Sequence, residues 1–111
     1  MANTFKNAVF NASLAADTDS GALATVGSDT QTTLIGMTIA NITSGVISVG
    51  VKLVSGAADT LIVKDAPVPT GGSLVVLGGD QKVVLEATDA IKIRSNTADS
   101  IHAVLSYLEI T

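Results

Sequence analysis

Residues 64–94 read Lys64-Asp-Ala-Pro-Val-Pro-Thr-Gly-Gly-Ser-Leu-Val-Val-Leu-Gly-Gly-Asp-Gln-Lys-Val-Val-Leu-Glu-Ala-Thr-Asp-Ala-Ile-Lys-Ile-Arg94. Both prolines of the chain, Pro67 and Pro69, lie here, together with four of its ten glycines. Three short apolar runs, Leu74–Leu77, Val83–Leu85 and Ile91–Ile93, are cut apart by turn-forming residues. That punctuation predicts short, closely spaced antiparallel strands. The prolines lack an N–H for a strand ladder, so they are expected to end pairing and force an extended crossing.

Outward from this stretch the same pattern continues. Ile47, Val49, Val51 and Leu53 alternate with Ser48, Gly50 and Lys52, which is the period of a half-buried strand. Upstream, Ala22–Val26, a Gly27-Ser-Asp turn and Thr32–Ile42 predict a hairpin. In its second arm Ile35, Met37 and Ile39 are expected on one face, and Leu34, Thr38, Ala40 and Ile42 on the other. Apolar groups on both faces predict a central strand, or one covered by another subunit. Asn41–Gly45 is a turn, Ser55–Asp59 a loop and Thr60–Lys64 a strand. Ser95–Asp99 is a further turn, and Ser100–Ile110 a nearly continuous apolar strand of central position. Eight or nine strands with a turn about every ten residues predict an all-β chain, a single antiparallel β-sandwich or jelly-roll-like domain over residues 21–111. Residues 1–20 precede it as an extended N-terminal arm or edge strand. Two of the three aromatic residues, Phe5 and Phe10, sit in that segment. They are the candidate subunit-docking residues, with packing on the protein's own sandwich as the alternative.

The totals narrow the function classes. At 111 residues one domain is expected, large enough to bury a core without staples. The absence of cysteine removes disulfides, thiolate metal sites and thiol nucleophiles together. Ten acidic and six scattered basic residues leave a net charge of −4, so direct nucleic-acid binding is not expected. No apolar run has the length of a membrane-spanning helix, which makes a membrane an unexpected partner. The N-terminus is too polar for a secretory h-region, and use without export is the expectation. Only 14% of residues are charged against 47% hydrophobic, where ordinary soluble domains carry roughly 25% charged residues. That balance favours a homo-oligomer or assembled subunit over a free monomer.

Catalytic and metal-binding patterns are missing. Asp17-Thr-Asp-Ser-Gly21 resembles the start of a calcium loop, but the first glutamate of the chain is Glu86, and a solvated turn is the better reading. His102 is the only histidine and stands between apolar neighbours, as packed or surface histidines do. Glu86 and Asp89 straddle a turn, and no nucleophile elbow is present. Gly71-Gly72 and Gly78-Gly79 flank a strand without a phosphate-binding pattern, so they are turn glycines. Sugar stacking would fall to Tyr107 alone, since tryptophan is absent. Lys92 and Arg94 point the same way from one strand, as a solvated face or half of an intersubunit salt bridge. No enzyme activity, cofactor or metal is expected.

Residues 64–87 and 89–95, together with Thr33–Thr43 and Val104–Thr111, resemble small virion proteins of tailed bacteriophages, of the kind common among marine and cyanobacterial phages. The resemblance covers about residues 22–111 and leaves the N-terminal segment outside. It implies a non-enzymatic structural protein of the virion, assembled in the host cytoplasm. The implied role is decoration or cementing of the capsid, or a ring or adaptor in the neck or tail. The implied partners are copies of itself and the major capsid protein or neck and tail proteins. The alternative from a different class is a fibre or adhesin-type sandwich module binding a host glycan or receptor.

Overall fold

A computed structural model describes residues 3–56, 58–77 and 82–110, apart from the side chains of residues 24 and 25. The chain is all-β, and no helix occurs among the described residues. The described residues form nine strands: β1 (Asn3–Phe10), β2 (Ala24–Thr25), β3 (Gln31–Asn41), β4 (Ile47–Ser55), β5 (Ala58–Val68), β6 (Ser73–Leu77), β7 (Val83–Leu85), β8 (Ala90–Ser95) and β9 (Ile101–Ile110). The first sheet runs β1-β9-β3-β6, with β7 also on β3; the second runs β2-β8-β4-β5. Every pairing is antiparallel.

Strand β6 pairs with the Met37–Ala40 part of β3 and β7 with Thr32–Leu34, so the two lie end to end as one interrupted strand. Counted that way the fold is an eight-stranded sandwich in which all but one of the links cross between sheets. This is jelly-roll connectivity. Among the described residues only β4 and β5 form a local hairpin. The core lies between the sheets: Leu34, Met37, Ile39, Ala103 and Leu105 from the first face Ile47, Val49, Val51, Val68, Ile91 and Ile93 from the second.

The alternation read over 47–53 is realised in β4, where Ile47, Val49 and Val51 are buried. Elsewhere the structure corrects the sequence reading. Residues 22–26 and 32–42 are not a hairpin: β2 pairs with β8, while β3 lies in the other sheet. The Gly27-Ser-Asp turn marks a crossing, which local turn chemistry cannot tell from a reversal. The three strands of 74–93 do not pair with one another either. Two share β3, and the third pairs with β4 and β2. The Gly78-Gly79 turn lies outside the described residues.

The prolines do not end pairing. β5 continues through Pro67, which sits opposite Ser48, to Val68 opposite Ile47. An edge strand tolerates this because one row of its N–H groups has no partner strand to serve. The crossing comes immediately after, where the Gly72 N–H donates to the Pro69 carbonyl at 2.9 Å. Gly71 occupies φ 67 in that turn, a conformation open to glycine without steric cost.

The two faces assigned to β3 are also revised. Its register against β9 shifts between Leu34 and Gly36, leaving Ile35 as an extra residue. A bulge of one residue reverses the parity of everything beyond it. Leu34 therefore shares the core with Met37 and Ile39, whereas Ile35 is only half-buried.

Segment 17–26 escapes the period-2 test for a different reason. The amides of Asp17, Ser20, Leu23 and Val26 donate to the carbonyls of Ser95, Ile93, Ile91 and Asp89. Three residues on this side span two on β8, so the edge is irregular and only Ala24–Thr25 counts as strand. Ser20 and Val26 are buried, and Leu23 packs on the core.

Side chains satisfy the backbone where the chain changes sheets. Asn41, 3% exposed, ends β3. Its Nδ2 donates to the carbonyls of Gly45 (2.7 Å), Val68 (3.0 Å) and Pro69 (3.2 Å). Its Oδ1 accepts from the Thr43 amide at 2.8 Å and hydroxyl at 2.7 Å. At the β8–β9 crossing the Ser95 and Ser100 hydroxyls meet at 2.6 Å, and Ser100 also bonds the Thr97 carbonyl. Asp99 accepts from the Leu14 amide at 2.8 Å and returns its own amide to the Leu14 carbonyl at 2.9 Å. Among the described residues no buried side-chain nitrogen or oxygen lacks a partner. Asn41→Ala should lower stability by about 3 kcal/mol, since buried carbonyls lose their donor. Asn41→Asp should do no better, because a carboxylate only accepts. Urea unfolding with an unchanged m-value checks both.

Candidate functional site

In antiparallel pairs, residues directly opposite share a face. The registers therefore assemble the outer face of the first sheet row by row. One row is Val9, Val104, Thr38 and Val75 across β1, β9, β3 and β6. Another is Phe5, Leu108, Thr33 and Val84 across β1, β9, β3 and β7. Asn7, Ser106 and Gly36 lie between them, and His102 stands opposite Ala40. Phe5 is 76% exposed and Val9, Val75, Val84 and Val104 are all more than half exposed, five of the seven large hydrophobic side chains in that condition among the described residues. Among the described residues, register places no Asp, Glu, Lys or Arg on this face. Five exposed apolar side chains on one uncharged face make it a candidate contact surface.

The outer face of the second sheet has the opposite character. Lys52 on β4 lies opposite Lys92 on β8, with Arg94 two residues along. These are three of the six basic residues of the chain. The Lys52 ammonium bonds the carboxylates of Asp19 and, at 2.8 Å, Asp59. Arg94 approaches Asp19 to 3.8 Å and donates to the Asp17 carbonyl. The guanidinium stem lies over Gly50, where a Cβ would come within 3.3 Å of Arg94 Cγ and of the Val63 carbonyl. Together Asp19, Gly50, Lys52, Asp59, Lys92 and Arg94, with Leu61, line a depression of about 220 Å³. The Lys52 hydrogen bond, with added attraction from Lys52, Arg94 and Lys92, holds the Asp19 carboxyl below its ordinary range against the opposing effect of burial. Hydrogen bonds to Asp19 and then Asp59 raise Lys52 above the usual lysine range.

The residues singled out from sequence fall as follows. Phe5 is on the outer face of the first sheet, at its β1 edge; Phe10 is half-buried against the protein's own core. An odd spacing of five along a strand puts them on opposite faces. His102 is exposed, and Tyr107 packs partly buried on the core. The Asp89 carboxylate, buried, accepts the Glu86 amide at 2.9 Å and closes the turn between them. In the Asp17–Gly21 loop Asp19 is engaged by cations and Ser20 by the Ile93 amide at 3.0 Å. Sequence reasoning missed Val9, Val75, Val84 and Val104 as a surface and the Asp19–Lys52–Asp59 network. Both depend on strands distant in the chain, and no local signal marks either.

No protein-family model matches the chain, and no curated protein sequence matches it. Among solved structures, one similar chain comes from Bacillus endospore appendages described as a novel family of disulfide-linked pili. The TM-score is 0.51 at 16% identity, over 96% of this chain and 85% of that one. A second is a pentameric capsid protein isolated from metagenomic phage sequences, with a TM-score of 0.40 and 16% identity. The match spans 91% of this chain but only 59% of that protein. The first likeness is one of fold.

The lowered Asp19 carboxyl sets the sign of one pH effect. Its contribution to stability is present above the unfolded carboxylate range and is lost as pH falls through the folded value. Asp19→Asn should therefore flatten the acid limb of the stability–pH profile while leaving the neutral fold intact. Thermal unfolding between pH 2 and pH 7 measures it.

Proposed function

We propose that this protein is a non-enzymatic structural subunit of a tailed-phage virion. It docks as a symmetric oligomer on the capsid, as a decoration or cement protein, or at the head–tail neck. The observation that carries the reading is the outer face of the first sheet, where Phe5, Val9, Val75, Val84 and Val104 stand exposed without a charge among them. Covering these side chains is worth about 1–2 kcal/mol each. Together that is on the scale of the roughly 4–15 kcal/mol that association costs. The charged second sheet then faces solvent, so the two sides of the sandwich divide attachment from solubility. The resemblance of residues 22–111 to phage virion proteins supplies the setting.

A glycan-binding fibre module draws less support. Tyr107, the one tyrosine suited to sugar stacking, packs against the core cluster.

Copy number in purified particles tests the proposal. A high copy number identifies capsid decoration, and a single ring's worth a neck position. Absence of the protein from particles overturns the reading. Val104→Lys and Val75→Glu should each fold with stability within about 0.5 kcal/mol of the parent, as exposed substitutions do. Each should lower particle occupancy by about tenfold or more, because a buried unpaired charge costs more than the ~1.4 kcal/mol that a factor of ten represents. Quantitative mass spectrometry of particles reads the loss.

A further inference from the structure

A sandwich of open sheets has four free edges, and natural proteins blunt such edges to prevent unplanned pairing. Three are blunted here. The β6–β7 edge is interrupted, and its register on β3 shifts between Met37 and Thr38. The 17–26 edge carries three residues for every two of β8 and has Asp17 at φ 55. The β5 edge shifts register twice against β4, holds Asp65 at φ 51 and contains Pro67.

The fourth edge is β1. Its register against β9 is unbroken over all eight residues, from Asn3 opposite Ile110 to Phe10 opposite Ala103. It contains no proline, glycine or bulge. Its one charged side chain, Lys6, is tied to Glu109 of its own neighbour strand at 3.0 Å. Lys6 is the single guard of this edge, and because Glu109 neutralises its charge the regular backbone of β1 stays open to an added strand.

We propose that β1 is a self-association seam, pairing antiparallel with β1 of a second copy about a two-fold axis at Asn7. A two-fold contact requires a self-complementary strand, and Thr4-Phe-Lys-Asn-Ala-Val-Phe10 is one. About Asn7, Phe5 lies opposite Val9 of the second copy, Lys6 opposite Ala8, and Thr4 opposite Phe10. The two most exposed aromatic and aliphatic side chains of the strand, Phe5 at 76% and Val9 at 63%, thereby cover each other. An axis at Lys6 would set two ammonium groups directly opposite, which is unfavourable. An axis at Ala8 would face Phe5 with Asn11 and Val9 with Asn7. Asn7 is the register that the side chains select.

The axis stands perpendicular to the sheet, so the uncharged outer faces of both copies point the same way and merge into one surface. That deepens the subunit reading above and rests on it for its purpose, while the contact itself is separable.

The chain has no cysteine, so single cysteines report the seam directly. Opposed residues of an antiparallel pair have Cα atoms about 4.5–5.5 Å apart. Asn7→Cys should therefore oxidise to a covalent dimer. In Lys6→Cys the two cysteines are offset by two residues along each strand, beyond the ~7 Å Cα limit for a disulfide. It should cross-link at least about tenfold more slowly. Equal rates for the two variants overturn the seam. Faster cross-linking of Val104→Cys also overturns it, in favour of copies stacked face to face, as does a strictly monomeric parent protein by light scattering. Asn7→Cys that stays uncross-linked yet enters particles removes the seam and keeps the virion reading. Cross-linked dimers of a protein absent from particles do the reverse.

Discussion

The fold depends on satisfying the backbone where the chain leaves one sheet for the other, and Asn41 carries the heaviest part of that task. Jelly-roll connectivity sends nearly every link across the sandwich, so strand ends converge with carbonyls that no ladder can serve. Asn41 stands at the end of β3 and reaches the carbonyls of Gly45, Val68 and Pro69 at once. It thus joins the link leaving β3 to the end of β5, the edge strand of the opposite sheet. Buried polar groups of this kind cost little when fully paired and much when half-paired. Ser95, Ser100 and Asp99 repeat the device at the β8–β9 crossing.

With the crossings held, the two outer faces are free to differ. The second sheet carries Lys52, Lys92 and Arg94 against Asp19 and Asp59, a network that keeps that side wet. The first carries valines, threonines and Phe5. A protein with 14% charged residues has few charges to distribute, and among the described residues the register puts none of them on the outer face of the first sheet. The same economy appears at the edges: bulges, a proline and left-handed residues guard three of them, and β1 is left regular. The uncharged outer face and the regular edge adjoin along β1, which is why Phe5 and Val9 belong to both.

Much of this was legible from residues alone. An all-β sandwich followed from short apolar runs divided by turn residues, the buried face of β4 from its alternation, and the interior place of β9 in its sheet from its apolarity. The turns at Asn41–Gly45 and Ser95–Asp99 were marked by their own chemistry. Short-range periodicity determines such features because each depends on neighbours two to five positions away. Phe5 and Phe10 stood out because so few aromatic residues exist, and of the two only Phe5 lies on the exposed face.

What the tertiary structure decided is everything that depends on which strands meet. Turn residues show that the chain bends, and they say nothing of whether it returns to the same sheet, so 22–42 read as a hairpin and proved a crossing. Pro67 is excluded from a strand only if its missing N–H faces a partner, and on the edge strand β5 pairing runs through it. One extra residue at Ile35 inverted the faces of β3, and a three-for-two mismatch hid the edge at 17–26. Phe10 turned inward while Phe5 stayed out, and Val9, Val75, Val84 and Val104 became a surface only through register. By itself the sequence determined most of the elements and the apolar face of β4, which are local properties. Their neighbours, and with them the uncharged outer face and the one regular edge, are set by hydrogen bonds between residues far apart in the chain.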